Sequence, residues 1–109
     1  MAVVVKRFDV YLVNHDPTVG SEIKKTRPCL IISPDEMNRH IRTAIIAPMT
    51  STNKDYPTRL SCTLRKKQGQ IVLDQIRTID KSRLIKRIGT IDSKAQLDVV
   101  SVLQRMFAF

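Results

Sequence analysis

Three stretches of the sequence bring together groups that bind anionic oxygens and groups that move protons. In "EIKKTRP" the carboxylate of Glu22 precedes three cations, Lys24, Lys25 and Arg27, and a proline follows at once. In "PMTST" the hydroxyls of Thr50, Ser51 and Thr52 come directly after an apolar run. In "VLDQIRT" Asp74 and Gln75 interrupt apolar residues, with Arg77 and Thr78 beyond them. Fixed positive charge and hydroxyl donors suit a phosphate, and a neighbouring carboxylate suits a proton or a cation. Each stretch also has a plainer account. Lys24 and Lys25 can form a solvated loop, Thr50 and Ser51 can cap a turn, and Asp74 can pair with Arg77 or bond local backbone.

The overall charge favours the functional account. Nineteen Lys and Arg stand against ten Asp and Glu, a formal net charge of +9 on 109 residues, with a pI near 10.1. Such a surplus concentrates polyanions at the surface and speeds their capture. Nucleic acid is the first partner to expect and an acidic protein the second. Other chemistries find little support. His15 and His40 lack metal-ligand spacing, and the three glycines form no phosphate-cradling pattern. Cys29 and Cys62 sit in apolar surroundings and read as small buried thiols, neither a disulfide framework nor a zinc site. "MAVVV" is shorter than a signal-peptide apolar region, and no run approaches membrane-spanning length. The expected location is the cytoplasm.

The elements that must position these groups are short strands. Residues 1–109 read as one domain, with a barrel over about 6–91 and a terminal helix over about 93–107. Phe8 to Val13 is the first strand, and "NHDPTVGS" after it is a loop. Pro28 to Ile32 and "TAIIAPM" are buried strands. Between them "SPDEMNRH" forms one helical turn, with Ser33 as N-cap and Asp35 and Glu36 at the positive end of the dipole. "TSTNKDYP" is a polar loop, and "TRLSCTL" alternates with Leu60, Cys62 and Leu64 inward. A turn at Lys66–Gly69 leads into a strand "QIVLDQI", and "LIKRIGTI" is the last strand. Ser93 to Phe107 is a helix capped by Asp92 or Ser93. Its apolar positions Ala95, Val99, Val100, Val102, Leu103, Met106 and Phe107 span an arc of roughly 160°, with Leu97 outside it.

"DPTVGSE" followed by "TRP", then "PMTS", then "DQIRTID" resemble, in order and spacing, the MazF/PemK-like toxins of bacterial toxin–antitoxin systems. The likeness runs from about Arg7 to the terminal helix. It implies a mainly β fold, a small SH3-like (CcdB/PemK-like) β-barrel with a C-terminal α-helix, working as a homodimer without cofactor or metal. It further implies a sequence-specific endoribonuclease that cuts single-stranded mRNA to a 2′,3′-cyclic phosphate and a 5′-hydroxyl. A cognate antitoxin with an acidic or disordered C-terminal segment would block the same groove.

Carried over residue by residue, the family's R-P arginine falls on Arg27, its T-S threonine on Thr50 with Ser51 beside it, the glutamate after G-S on Glu22, and the D-Q pair on Asp74 and Gln75. Some members carry an arginine two positions before that aspartate and use the two as acid and base; here the position is Val72. Arg27 then suits the phosphorane, Thr50 donates to the same oxygens, and Glu22 is favoured over Asp74 as base because it shares a loop with Arg27. Asp74 and Gln75 contact bases or hold the site together, and Lys24 and Lys25 attract the backbone. Tyr56 is the one aromatic expected to stack on a base, with a loop anchor as its plainer role. "RKK", Arg65 to Lys67, extends the groove. The alternatives are a toxin of the same barrel that poisons DNA gyrase and cuts nothing, and a silent nucleic-acid-binding module.

Overall fold

The computed structural model describes residues 4–14 and 26–108. Strands β1 (Asp9–Asn14), β2 (Thr26–Ile31), β3 (Thr43–Thr50), β4 (Arg59–Leu64), β5 (Lys67–Val72), β6 (Arg77–Asp80) and β7 (Leu84–Thr90) form one antiparallel sheet. Helix α1 (Asp35–His40) links β2 to β3, and α2 (Ser93–Phe107) closes the chain. The main path through the sheet is β4-β5-β3-β2-β1-β7, with β6 also on β3. The sheet curls so far that its ends nearly meet: a Cβ on Gly89 of β7 would lie 3.2 Å from Leu64 of β4. Those two strands share no ladder among the described residues, so the expected barrel is curled and incompletely closed. No described helix is long and apolar enough to cross a membrane.

Alternation along the strands builds two apolar clusters. Val10, Leu30, Ala47, Met49, Cys62, Ile71 and Leu73 pack with Val99 and Val102 of α2. Tyr11, Val13, Cys29, Ile31, Ala44, Ile46 and Ile79 form the second cluster. Both cysteines are buried and free. The α2 stripe therefore serves the core, with Asp92 Oδ1 accepting from the Ala95 N–H at 2.8 Å as the expected cap. Leu97 lies outside the stripe and is exposed; Phe107, counted within it, is exposed too, because it sits at the arc's edge in the last turn.

Three local expectations are corrected. Ser33 does not cap α1: Pro34 occupies the N-cap position, and the Ser33 hydroxyl donates to Asn38 Oδ1 and accepts from the Ile45 N–H, clasping α1 to β3. The β4–β5 turn is Arg65-Lys66, both at positive φ, and not Lys66–Gly69. Such a two-residue turn matches the twist of the strands it joins, and Gly69 lies beyond it within β5. "QIVLDQI" is not one strand. It breaks after Val72 into a 3-10 turn, Leu73–Gln75, and β6 resumes at Arg77. β5 pairs with β3 at Met49↔Ile71, and β6 pairs with it at Ile46↔Arg77. Residues 72–76 thus stand opposite Ala47 and Pro48 alone and bulge out as a corner.

Candidate functional site: a basic groove at the β2 and β3 ends

Arg27 and Thr50 meet because β2 starts where β3 stops. The ladder runs Cys29↔Pro48, Leu30↔Ala47, Ile31↔Ile46; beyond its end Arg27 and Thr50 both reach the same groove. Pro28 fixes the backbone beside the arginine and needs no N–H partner of its own. Arg27, Thr50 and Ser51 line one groove of about 650 Å³. Leu12, Pro28, Met49, Leu64 and Ile88 supply its apolar lining, and Arg65 and Lys67 add two more cations from the β4–β5 hairpin.

Thr50 is held on two sides. Its Oγ accepts from the Thr52 N–H at 3.1 Å, which leaves its own proton to donate. Its carbonyl lies under Gly69, where a Cβ would come within 2.9 Å of the oxygen. The loop beyond is pinned by Gln70, which is buried: its amide oxygen accepts from the Lys54 N–H and its amide nitrogen donates to the Lys54 carbonyl, each at 3.0 Å. Gly69 and Gln70 were missed in the sequence. Gln70 is buried at the start of the inward-turning half of β5, beside Ile71 and Val72.

Asp74 and Gln75 are not among the residues lining this groove. They occupy the corner between β5 and β6, where Asp74 does not pair with Arg77. Its Oδ1 accepts from Arg59 Nε at 3.1 Å and from the Thr58 hydroxyl at 2.9 Å. Burial alone would raise the Asp74 carboxyl, but the Thr58 and Arg59 bonds outweigh it and hold it below the usual carboxylate range. Arg59 stands directly across the ladder from Val72, so the guanidinium missing at position 72 reaches Asp74 from the neighbouring strand. Arg59 also lies over the Tyr56 ring, 5.3 Å from its centroid. Tyr56 is 52% exposed, more than a packed loop anchor would be.

Burial pushes the Cys29 thiol up to about 11 against the opposing pull of Arg27 and Arg77, so it is an inert neighbour of the groove. Among the described residues no three His, Cys, Asp or Glu side chains cluster as a metal site. Glu22, Lys24, Lys25 and His15 lie outside the described residues.

Comparison with known proteins agrees with this architecture. The model of the PemK-like, MazF-like toxins of type II toxin–antitoxin systems matches residues 6–107. The chain is 38% identical over 107 residues to the Bacillus subtilis (strain 168) protein named Endoribonuclease EndoA, covering 93% of this chain and 92% of that one. It is 35% identical over 105 residues to Endoribonuclease MazF of Staphylococcus epidermidis, covering 91% and 88%. A MazE–MazF crystal structure from Deinococcus radiodurans superposes with a TM-score of 0.81 at 20% identity, covering 99% of both chains. A mycobacterial endoribonuclease in complex with its cognate antitoxin superposes with a TM-score of 0.80 at 22% identity, covering 96% of this chain and 98% of that one. The strand order, the terminal helix and the match over residues 6–107 agree: the chain belongs to the PemK-like, MazF-like toxins of type II toxin–antitoxin systems.

Proposed function

We propose that this chain is an endoribonuclease toxin that cuts single-stranded mRNA, works as a homodimer and is neutralised by a cognate antitoxin. The observation that carries the reading is that Arg27 and Thr50 line one basic groove. Two relatives above 30% identity named as endoribonucleases support it, as do toxin folds seen with their antitoxins.

The reaction is an in-line transfer with no hydrolytic water. A base takes the proton of the 2′-hydroxyl, the 2′-oxygen bonds to phosphorus, and the P–O5′ bond breaks. The products are a 2′,3′-cyclic phosphate and a 5′-hydroxyl. Arg27 matches two non-bridging oxygens with its planar fork, and Thr50 donates its hydroxyl proton to the same charge. A planar, delocalised guanidinium is a poor proton acceptor, so Arg27 is a poor general base. Late in the reaction Arg27 can pass a proton to the leaving 5′-oxygen. Glu22 takes the base role, Lys24, Lys25 and Ser51 hold the backbone, and Asp74 and Gln75 contact bases or hold the site together, Asp74 through its bonds to Arg59 and Thr58.

The test is a digest of a long transcript in excess EDTA, with the ends mapped. Discrete cuts with 5′-hydroxyl termini are expected from the native chain. Arg27→Ala should give none while its melting temperature stays unchanged, and Glu22→Gln should lose about 10²–10⁴-fold in rate, the range general base catalysis supplies, with a loss under about tenfold removing it as base. Intact RNA with the native protein would overturn the proposal, and inhibited supercoiling in its place would point to a gyrase poison.

A further inference from the structure

Arg59 and Tyr56 form a unit that the cleavage chemistry does not use. A β-turn joins them: the Arg59 N–H donates to the Tyr56 carbonyl at 3.0 Å, with Pro57 second in the turn, where its fixed φ is favoured. The guanidinium sits 5.3 Å from the ring centroid and is held from the other side by Asp74 at 3.1 Å. Its side chain is only 12% exposed, so the charge is locked between the ring and the carboxylate. Leu73 N–H donates to the Thr58 carbonyl at 3.1 Å and ties the turn to the corner. Tyr56 thus has one face covered by Arg59 while half of the residue stands in solvent.

We propose that the open face of Tyr56 is a stacking platform for one unpaired RNA base beside the cut site, and that Arg59 is the positioning residue that holds it. The proposal rests on the ribonuclease reading. Its location follows from the chain: six peptide units separate Thr50 from Tyr56, so the platform lies at most about 22 Å from the catalytic threonine, and the Gln70 clasp on Lys54 shortens that path. A face-on cation polarises the ring without occupying its outer face. Stacking accepts any base, because every base offers a π face. Arg59 fixes the platform through Asp74, the carboxylate that some family members pair with an arginine at the position of Val72.

The experiment uses a 2′-O-methyl RNA around the mapped cut site, which lacks the nucleophile, with one 2-aminopurine moved along it. Binding is followed by polarisation and stacking by fluorescence quenching. Native protein should quench one position next to the cut site, and Tyr56→Phe should quench it too. Tyr56→Leu, which keeps the bulk over Arg59, should restore the fluorescence and weaken binding roughly 5- to 150-fold. Arg59→Lys keeps the charge without the planar fork and should lose most of the quench. Equal profiles for native protein and Tyr56→Leu, both bound, overturn the platform alone. No binding by the native protein overturns the ribonuclease reading and the platform with it.

Discussion

Gly69 shows how one missing Cβ sets the edge of the groove. Its φ is not the reason it is glycine; the constraint is the Thr50 carbonyl, 2.9 Å from where a Cβ would stand. A backbone oxygen inside a ladder cannot swing aside as a side-chain tip can, and Thr50 is paired with Gln70 in that ladder. Gly69→Ala must therefore push β5 away from the end of β3, carrying Thr50 away from Arg27. We expect a loss of about 1–3 kcal/mol of stability, typical of overpacking, read as a lower melting temperature. Single-turnover cleavage should fall by more than the melting shift explains, because a 1 Å misplacement at a reacting group costs up to ~10²-fold. An alanine variant with native melting and native cleavage would show that the close approach positions nothing.

At the level of elements, the corner between β5 and β6 leaves no mark in the apolar pattern of the sequence. Apolar alternation found the core strands, and the 3.6-residue period found α2 with its Asp92 cap. The break at Leu73–Gln75 was invisible because Leu73 and Ile76 continue the apolar run on either side of it. What cuts the strand is tertiary: two residues of β3 face five of the corner, and Arg59, fifteen positions earlier, supplies the partner for Asp74. A contact that distant leaves no local pattern. Arg27 and Thr50 were legible through their motifs; the Arg59 and Gln70 clasps were not. The corner has a pH signature. The folded Asp74 carboxyl titrates below its unfolded value near ~3.9, so its contribution is fully present above that pH and is lost as pH falls through the lower folded value. Melting temperature should therefore drop on acidification below about pH 4, and Asp74→Asn, lower in stability at neutral pH, should show a shallower acid limb. An identical acid limb in both proteins would remove Asp74 from the account.

For the whole molecule, the net charge of +9 acts through where it is placed. Arg27 stands on one rim of the groove, and Arg65 and Lys67 extend it from the hairpin. An acidic antitoxin segment and an RNA backbone are drawn by the same field, so each should bind more tightly at low salt. For RNA the dependence has a predicted slope. Each phosphate neutralised on a single strand contributes about −0.7 to the slope of log K against log salt. The three described groove cations therefore predict a slope of about −2 or steeper, the excess reporting cations such as Lys24 and Lys25. Lys67→Gln should reduce the slope by about 0.7 and weaken binding at every site equally, leaving the cut positions where they were. Salt titrations of the native protein and this variant on one uncleavable RNA provide the measurement. An unchanged slope would place Lys67 off the RNA path, and a changed cut pattern would make it a reader of bases instead of a phosphate contact.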